Sequence, residues 1–233
     1  MRTVYLLFIG ILISLSNAIA FGGESLRPGQ TAGCDPQLIH RLIEVIEQDI
    51  IPITQKNVRK GNKMFGAAML RKSDLSTIIA DSNHETANPL FHAEVYTINQ
   101  YYEMVNKDDS KRVAPKDVVF LATHEPCTLC SSAITWSGFD NFYYLFSHED
   151  SRDSFNIGHD LNILKEVFKH EPGGYARKNA YWIGYGIVDL VNNCEGDTKA
   201  GFDARIEAVK KTYAEMSAVY QTNKGENKNI PLK

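Results

Sequence analysis

Four residues in this sequence have the types and spacing of a metal-assisted hydrolytic site: His92 and Glu94, answered further on by Cys127 and Cys130. One imidazole nitrogen and two thiolates hold a Zn²⁺ ion and leave its fourth tetrahedral position for water. That is the open arrangement of a catalytic zinc, not the closed one of a structural zinc. On a helix, a spacing of two sets side chains about 200° apart. His92 then points at the metal while Glu94 reaches round to the water as general acid and base. Cys127 and Cys130 stand three apart and share a helix face. A place in the first helical turn favours thiolate over thiol. Zinc with two thiolates is nearly neutral and acidifies water less than zinc with three His ligands, so the carboxylate is needed. Two other readings of these residues stay open. One is a closed structural zinc site with Cys34 or Cys194 as fourth ligand, and the other is a Cys127–Cys130 disulfide.

These residues must be positioned by regular elements. Residues 118–123 are an apolar strand that ends at Glu125-Pro126, and Pro126 starts the helix carrying the two Cys. Ala133, Ile134 and Trp136 continue that helix into the core, and His124 reads as a partly exposed loop residue. Residues 91–105 are a helix with His92 and Glu94 in its first turn. Upstream, 64–70 and 76–80 are strands joined by the turn Lys72-Ser73-Asp74, and a polar loop over 82–90 leads to His92. Before them, Asp35 caps a helix over 36–50, with Pro36 at its first position and Ile39, Leu42, Ile43, Ile46 and Ile50 on one face. Pro52 ends or kinks that helix. Downstream come a strand over 142–146, a polar loop over 147–158, a helix over 161–170 and a closing helix over 202–220. Residues 181–188 are a fifth strand or a less regular segment, since Gly184 and Gly186 weaken a strand. Strands alternating with helices predict parallel βαβ pairing with both sheet faces covered.

The chain has 233 residues, with 25 Lys+Arg against 28 Asp+Glu and 43% hydrophobic residues. One α/β domain is expected, and a net charge of −3 offers no basic footprint for nucleic acid. Residues 1–20 have the layout of a secretory signal peptide: Met1-Arg2, an apolar run over 4–15, and the Ala-x-Ala site Ala18-Ile19-Ala20. The run is short for a membrane span, although an uncleaved anchor is the other reading. Export to a periplasm or the outside is therefore expected, with Phe21 first in the mature chain and no membrane attachment after cleavage. In such a compartment a Cys34–Cys194 disulfide is within reach. Residues 21–34 read as a linker, 35–221 as the domain with a C-terminal extension, and 222–233 as a polar tail of doubtful order.

His-x-Glu followed by Pro-Cys-x-x-Cys, in this order and about one helix and one strand apart, resembles the zinc-dependent cytidine and deoxycytidylate deaminase superfamily. Within it the chain most resembles bacterial and plant guanine deaminases, over roughly residues 60–170. Phe65-Gly66-Ala67 resembles the family's first strand, and Asn83 stands where the family places an Asn on the base. Asn88-Pro89-Leu90-Phe91-His92-Ala93-Glu94-Val95 is similar to its Asp-Pro-Thr-Ala-His-Ala-Glu-Val. Glu125-Pro126-Cys127-Thr128-Leu129-Cys130, with Ala133-Ile134-Thr135-Trp136, is similar to its Glu-Pro-Cys-Pro-Met-Cys and Ala-Ile-Tyr-Trp. Asp160 matches an Asp that helps read the guanine edge. The departures are Gly158-His159 for Phe-Asp, Phe91 for a small residue, and no match beyond residue 170.

The resemblance implies a three-layer α/β/α cytidine-deaminase-like fold, with a mixed sheet of about five strands and helices on both faces. It implies Zn²⁺ as cofactor on His92, Cys127 and Cys130, Glu94 as catalytic acid–base, and Asn83, Asp160, Phe65 and Trp136 as substrate residues. It implies hydrolytic deamination of a small purine base, guanine-like, with release of ammonia, and leaves a homodimer open. Asn83 as a turn residue, Asp160 as a helix N-cap and Trp136 as core are the plainer readings. Deaminases of adenosine, cytosine, cytidine, nucleotides or tRNA share the signature. An exported binding or effector domain stapled by a structural zinc is the reading from another class.

Overall fold

The computed structural model of the chain describes residues 33–170 and 174–232; the signal-peptide reading of 1–20 lies outside them. Helix α1, Pro36–Val45, starts as its sequence predicts: the Asp35 carboxylate accepts from Leu38 N at 3.0 Å. Pro52 does not end this run. A π-helical turn, Ile46–Ile50, precedes it, and α2, Ile51–Val58, follows with Pro52 at its start. Proline has no N–H and crowds the carbonyl four residues back. A wider turn placed just before it absorbs both problems, and the helical path continues.

Strand β1, Gly66–Arg71, pairs antiparallel with β2, Thr77–Ser82, in a register that sets Gly66 opposite Ser82. A side chain at Gly66 would meet Ile50 Cγ2 at 2.1 Å, so the helical run lies directly on the start of β1. Helix α3, Ala93–Lys107, leads to β3, Val118–His124, and α4, Thr128–Trp136, leads to β4, Asn141–Phe146. Strand β5, Ile183–Gly186, completes a sheet of order β2-β1-β3-β4-β5. β1 and β3 are antiparallel, whereas β3–β4 and β4–β5 are parallel, as the alternation of strands with helices predicts.

Period-two alternation divides the strands between two cores. Ala67, Met69, Val118, Phe120, Phe142 and Tyr144 pack on one face with α3 and α4. Ala68, Leu70, Val119, Leu121, Tyr143 and Leu145 pack on the other. That second face is covered by α1, by α7, Ile187–Asn192, and by α8, Gly196–Asn223. The result is the three-layer α/β/α arrangement with a mixed five-stranded sheet.

Three segments differ from their sequence reading. Residues 147–158 are not a plain loop. Ser147 and Asp150 form a reciprocal capping box that starts α5, His148–Asp153, and α6, His159–Glu166, follows. His124 is not a loop residue: β3 runs one residue further and pairs it with Phe146, which buries it. The tail beyond residue 221 packs back, with Ile230 buried and Asn229 Nδ2 donating to Thr86 O at 2.7 Å. Among the described residues no helix is long and apolar enough to cross a membrane.

Cys34 and Cys194 form a disulfide across a sequence separation of 160 residues, tying the start of α1 to the end of α7. Closing a loop of that length restricts the unfolded chain, and native disulfides commonly contribute about 2–4 kcal/mol. Cys194→Ser is therefore expected to lower Tm by roughly 5–15 °C, at the usual few degrees per kcal/mol for a chain of this size. Reductant should lower the wild-type Tm similarly and leave the variant unmoved. A wild-type Tm insensitive to strong reductant under denaturing-scan conditions would show that the bridge contributes nothing.

Candidate active site

The site lies where β3 and the β2–α3 loop deliver two helix starts to one place. His92 is the N-cap of α3, in extended backbone, and Cys127 is the N-cap of α4. Each therefore sits one position before its helix and not inside it, while Glu94 and Cys130 fall in the first turns. Both helix starts direct their positive ends at the cluster, which favours thiolate at Cys127 and Cys130.

The geometry suits a tetrahedral ion. His92 Nδ1 is 3.5 Å from Cys127 Sγ and 3.7 Å from Cys130 Sγ, and the two sulfurs are 3.5 Å apart. Zinc bonds of about 2.0 Å to nitrogen and 2.3 Å to sulfur require ligand–ligand edges of roughly 3.5–3.8 Å in a tetrahedron. The protonation balance points the same way. Hydrogen bonding from Cys130, with the imidazole beside it, pulls Cys127 well below the ordinary thiol value. Burial and the Cys127 thiolate hold Cys130 well above it. One thiolate thus opposes the second unless a cation sits between them.

Among the described residues, His92, Cys127 and Cys130 are the His, Cys, Asp and Glu side chains that converge as a ligand set. Cys34 and Cys194 are joined to each other, which removes both fourth ligands of the closed-site reading. Cys127 and Cys130 are free thiols, which removes the disulfide reading of the pair. The donor set is three protein ligands with an open position. Zn²⁺ held there supplies Lewis acidity toward water. Glu94 is buried, with Oε2 3.1 Å from Cys130 Sγ, so its carboxylate lies against one ligand of the set without joining it. Burial, and next the Cys127 thiolate, raise its carboxyl to about 7.

The other expected residues divide. Asp160 is in the first turn of α6 and is not its cap, which is Gly158. Burial first, then the Cys127 thiolate, raise its carboxyl to about 6, while His148, His92 and Lys63 pull it down. It therefore lies within electrostatic reach of the metal ligands. Asn83 is buried and faces inward: Oδ1 accepts from Ala93 N at 3.0 Å and Nδ2 donates to Glu85 at 2.8 Å. It fixes the first peptide of α3 and keeps one amide hydrogen for a ligand. Phe65 is half-buried, with its ring 3.5 Å from that of His124 and its carbonyl accepting from Asn83 N. Phe91 packs on Tyr96.

Trp136 is 91% exposed and belongs to neither the core nor the cluster. Cys130 and Ile134 define the buried side of α4, and Trp136, two residues past Ile134, lies about 200° round the helix from it. His124 is sealed by Phe65, Phe146, Phe155 and Tyr213, and neither ring nitrogen has a hydrogen-bond partner. Burial holds it neutral, well below the ordinary value.

Several neighbours had no signal in a linear reading. Arg177 grips Glu125 bidentately at 2.7 and 2.9 Å, and Tyr175 Oη donates to Pro126 O at 2.8 Å. The C-terminal part of the chain thus clamps the peptide that presents Cys127. Lys63 and Glu85 form a buried ion pair at 2.7 Å beside His92. Their one trace in the sequence is equal distance from the paired ends of the first hairpin.

Residues 45–146, a little under half of the chain, match the family model of the cytidine and deoxycytidylate deaminase zinc-binding region. No curated protein matches the chain. Solved structures similar to it include guanine deaminase from Nitrosomonas europaea, 14% identical over 83% of this chain and 98% of that one, with a TM-score of 0.45. Guanine deaminase from Bacillus subtilis is 21% identical over 59% and 80%, with a TM-score of 0.42. A structure from work on tRNA:A34 deaminases is 18% identical over 60% and 98%, with a TM-score of 0.37. The family match contains His92, Glu94, Cys127 and Cys130, the residues whose geometry fits an open zinc site. Residues 45–146 thus match a cytidine and deoxycytidylate deaminase zinc-binding region, and within that match lie the open ligand set and the buried carboxylate that a zinc-dependent hydrolytic deaminase needs.

Proposed function

We infer that the substrate is a free purine base, guanine first, with 2-aminopurine-type analogues next and nucleosides poorer. The observation that carries this is Asp160. Its carboxylate is half-buried near His92 and Cys127, with no hydrogen-bond partner among the described residues, so it is free to accept from the amide-like N–H edge of guanine. The remaining amide hydrogen of Asn83 adds a donor. A pocket with such groups rejects bases that leave them unpaired. The cations bordering the site, Lys63 and Arg177, are each paired with a carboxylate, which disfavours a nucleotide phosphate as a ligand.

In this reading, Glu94 takes a proton from the attacking water as the new C–O bond forms at the amine-bearing ring carbon. It passes that proton to the ring nitrogen and delivers the next to the leaving amine. The C–N bond breaks, and the products are ammonia and a ring carbonyl. One carboxylate working in both directions explains why it is buried beside the metal ligands and not among them. The Cys34–Cys194 disulfide supports action in an oxidising compartment, in keeping with the N-terminal signal reading.

A panel of bases and nucleosides read by ammonia release tests the substrate. Guanine should be turned over fastest, and Asp160→Asn should cut kcat/KM for it by about 10- to 100-fold, the worth of a hydrogen bond to a charged group. Zinc content should not change. Intact mass of exported protein should place Phe21 first. Ammonia from cytosine, cytidine or adenosine with none from guanine would reject the purine assignment while leaving the zinc chemistry standing.

A further inference from the structure

The first hairpin carries more than Asn83. Its register sets Gly66 opposite Ser82, and Phe65 O accepts from Asn83 N at 3.1 Å, which extends the pairing by one residue. Two residues further out on each side stand Lys63 and Glu85. Both side chains are buried, and Lys63 Nζ meets Glu85 Oε1 at 2.7 Å. Glu85 Oε2 accepts from Asn83 Nδ2 at 2.8 Å and from Lys63 N at 3.4 Å. The same Oε1 faces His92 Nε2 at 3.6 Å, on the ring edge away from the two sulfurs. His92 is therefore flanked by thiols on Nδ1 and by a carboxylate on Nε2.

We propose that Glu85 is a positioning residue for His92. Its Oε1, in ion-pair contact with Nε2 at 3.6 Å, favours the ring orientation that turns Nδ1 toward the two sulfurs and the metal. Lys63 Nζ, 2.7 Å from Oε1, pairs a carboxylate that would otherwise be buried without a partner charge. Asn83 couples the carboxylate to the first peptide of α3. The proposal rests on the zinc reading of the site. Carboxylates behind a ligating imidazole raise its basicity and fix its tautomer, and their removal typically costs about 10- to 100-fold in metal affinity.

The test measures zinc affinity of the full chain by competition with a chromophoric chelator, for wild type, Glu85→Gln and the double variant Lys63→Met/Glu85→Gln. Circular dichroism and Tm are read alongside. Glu85→Gln is expected to weaken zinc by about 10- to 100-fold. It also strands Lys63, so Tm should fall. The double variant removes both charges together and should recover Tm while keeping the loss of zinc affinity. A merely structural ion pair predicts the opposite: affinity returning with Tm. Cobalt substitution adds a signature, because the visible ligand-field bands should shift in the double variant if the ring orientation relaxes. Wild-type zinc affinity in a well-folded double variant, with unchanged cobalt bands, overturns the proposal even if Glu85→Gln alone is insoluble. Failure of the wild type to bind zinc would instead overturn the metal site beneath it.

Discussion

Glu94→Gln is expected to lower turnover by about 10²- to 10⁴-fold, the usual worth of general acid–base catalysis, while zinc content and Tm stay near wild type. Gln keeps the size and one hydrogen-bond acceptor of Glu but cannot carry a proton from water to leaving amine. The comparison uses ammonia release from whichever base the wild type turns over fastest. Near-normal turnover in the variant would sink the mechanism. The pH profile gives a second reading of the same residue. Glu94 must be ionised to accept a proton, so kcat/KM falls as pH drops through its pKa. Burial raises that value from an ordinary 4.5 to about 7, and the positive charge of a bound cation pulls it back. The acidic limb is therefore expected between these two values, and the limb should vanish in Glu94→Gln.

The reacting residues were legible because their chemistry forces their spacing. Two Cys three apart after a Pro, at the end of a fully buried strand, converge when a helix starts between them, and α4 starts at Thr128. The alternation in β3 likewise required a sheet covered on both faces. What was not legible depends on register and on long-range contact. Lys63 and Glu85 are ordinary charged residues until the Gly66–Ser82 pairing brings them together. Arg177 and Tyr175 reach the Cys127 peptide from about fifty residues away, through a segment whose own pattern is weak. Trp136 was misplaced because helical phase was counted from hydrophobicity and not from Cys130 and Ile134. Ser147 and Asp150 were a readable helix start, hidden by the polarity of the residues around them.

Cys127→Ser is expected to lose zinc and stability together. His92 and Cys127 are the N-caps of α3 and α4, so a shared ion ties the starts of two helices that belong to different crossovers. Binding free energy at such a site is also folding free energy, because the unfolded chain offers no assembled ligand set. The serine hydroxyl does not ionise near neutral pH and is a poor replacement for a thiolate. Cys130→Ser should behave similarly, with one difference: Glu94 Oε2, 3.1 Å from the Cys130 sulfur, also loses its contact there. Metal analysis of the purified variants should fall from about one zinc per chain toward none. A chelator should lower the wild-type Tm toward that of the variants and leave theirs unchanged. Full metal content in both Cys127→Ser and Cys130→Ser would exclude the site. Loss of metal without loss of Tm would mean that packing of Ile98, Ile134 and Phe120 holds α3 and α4 in place without the ion.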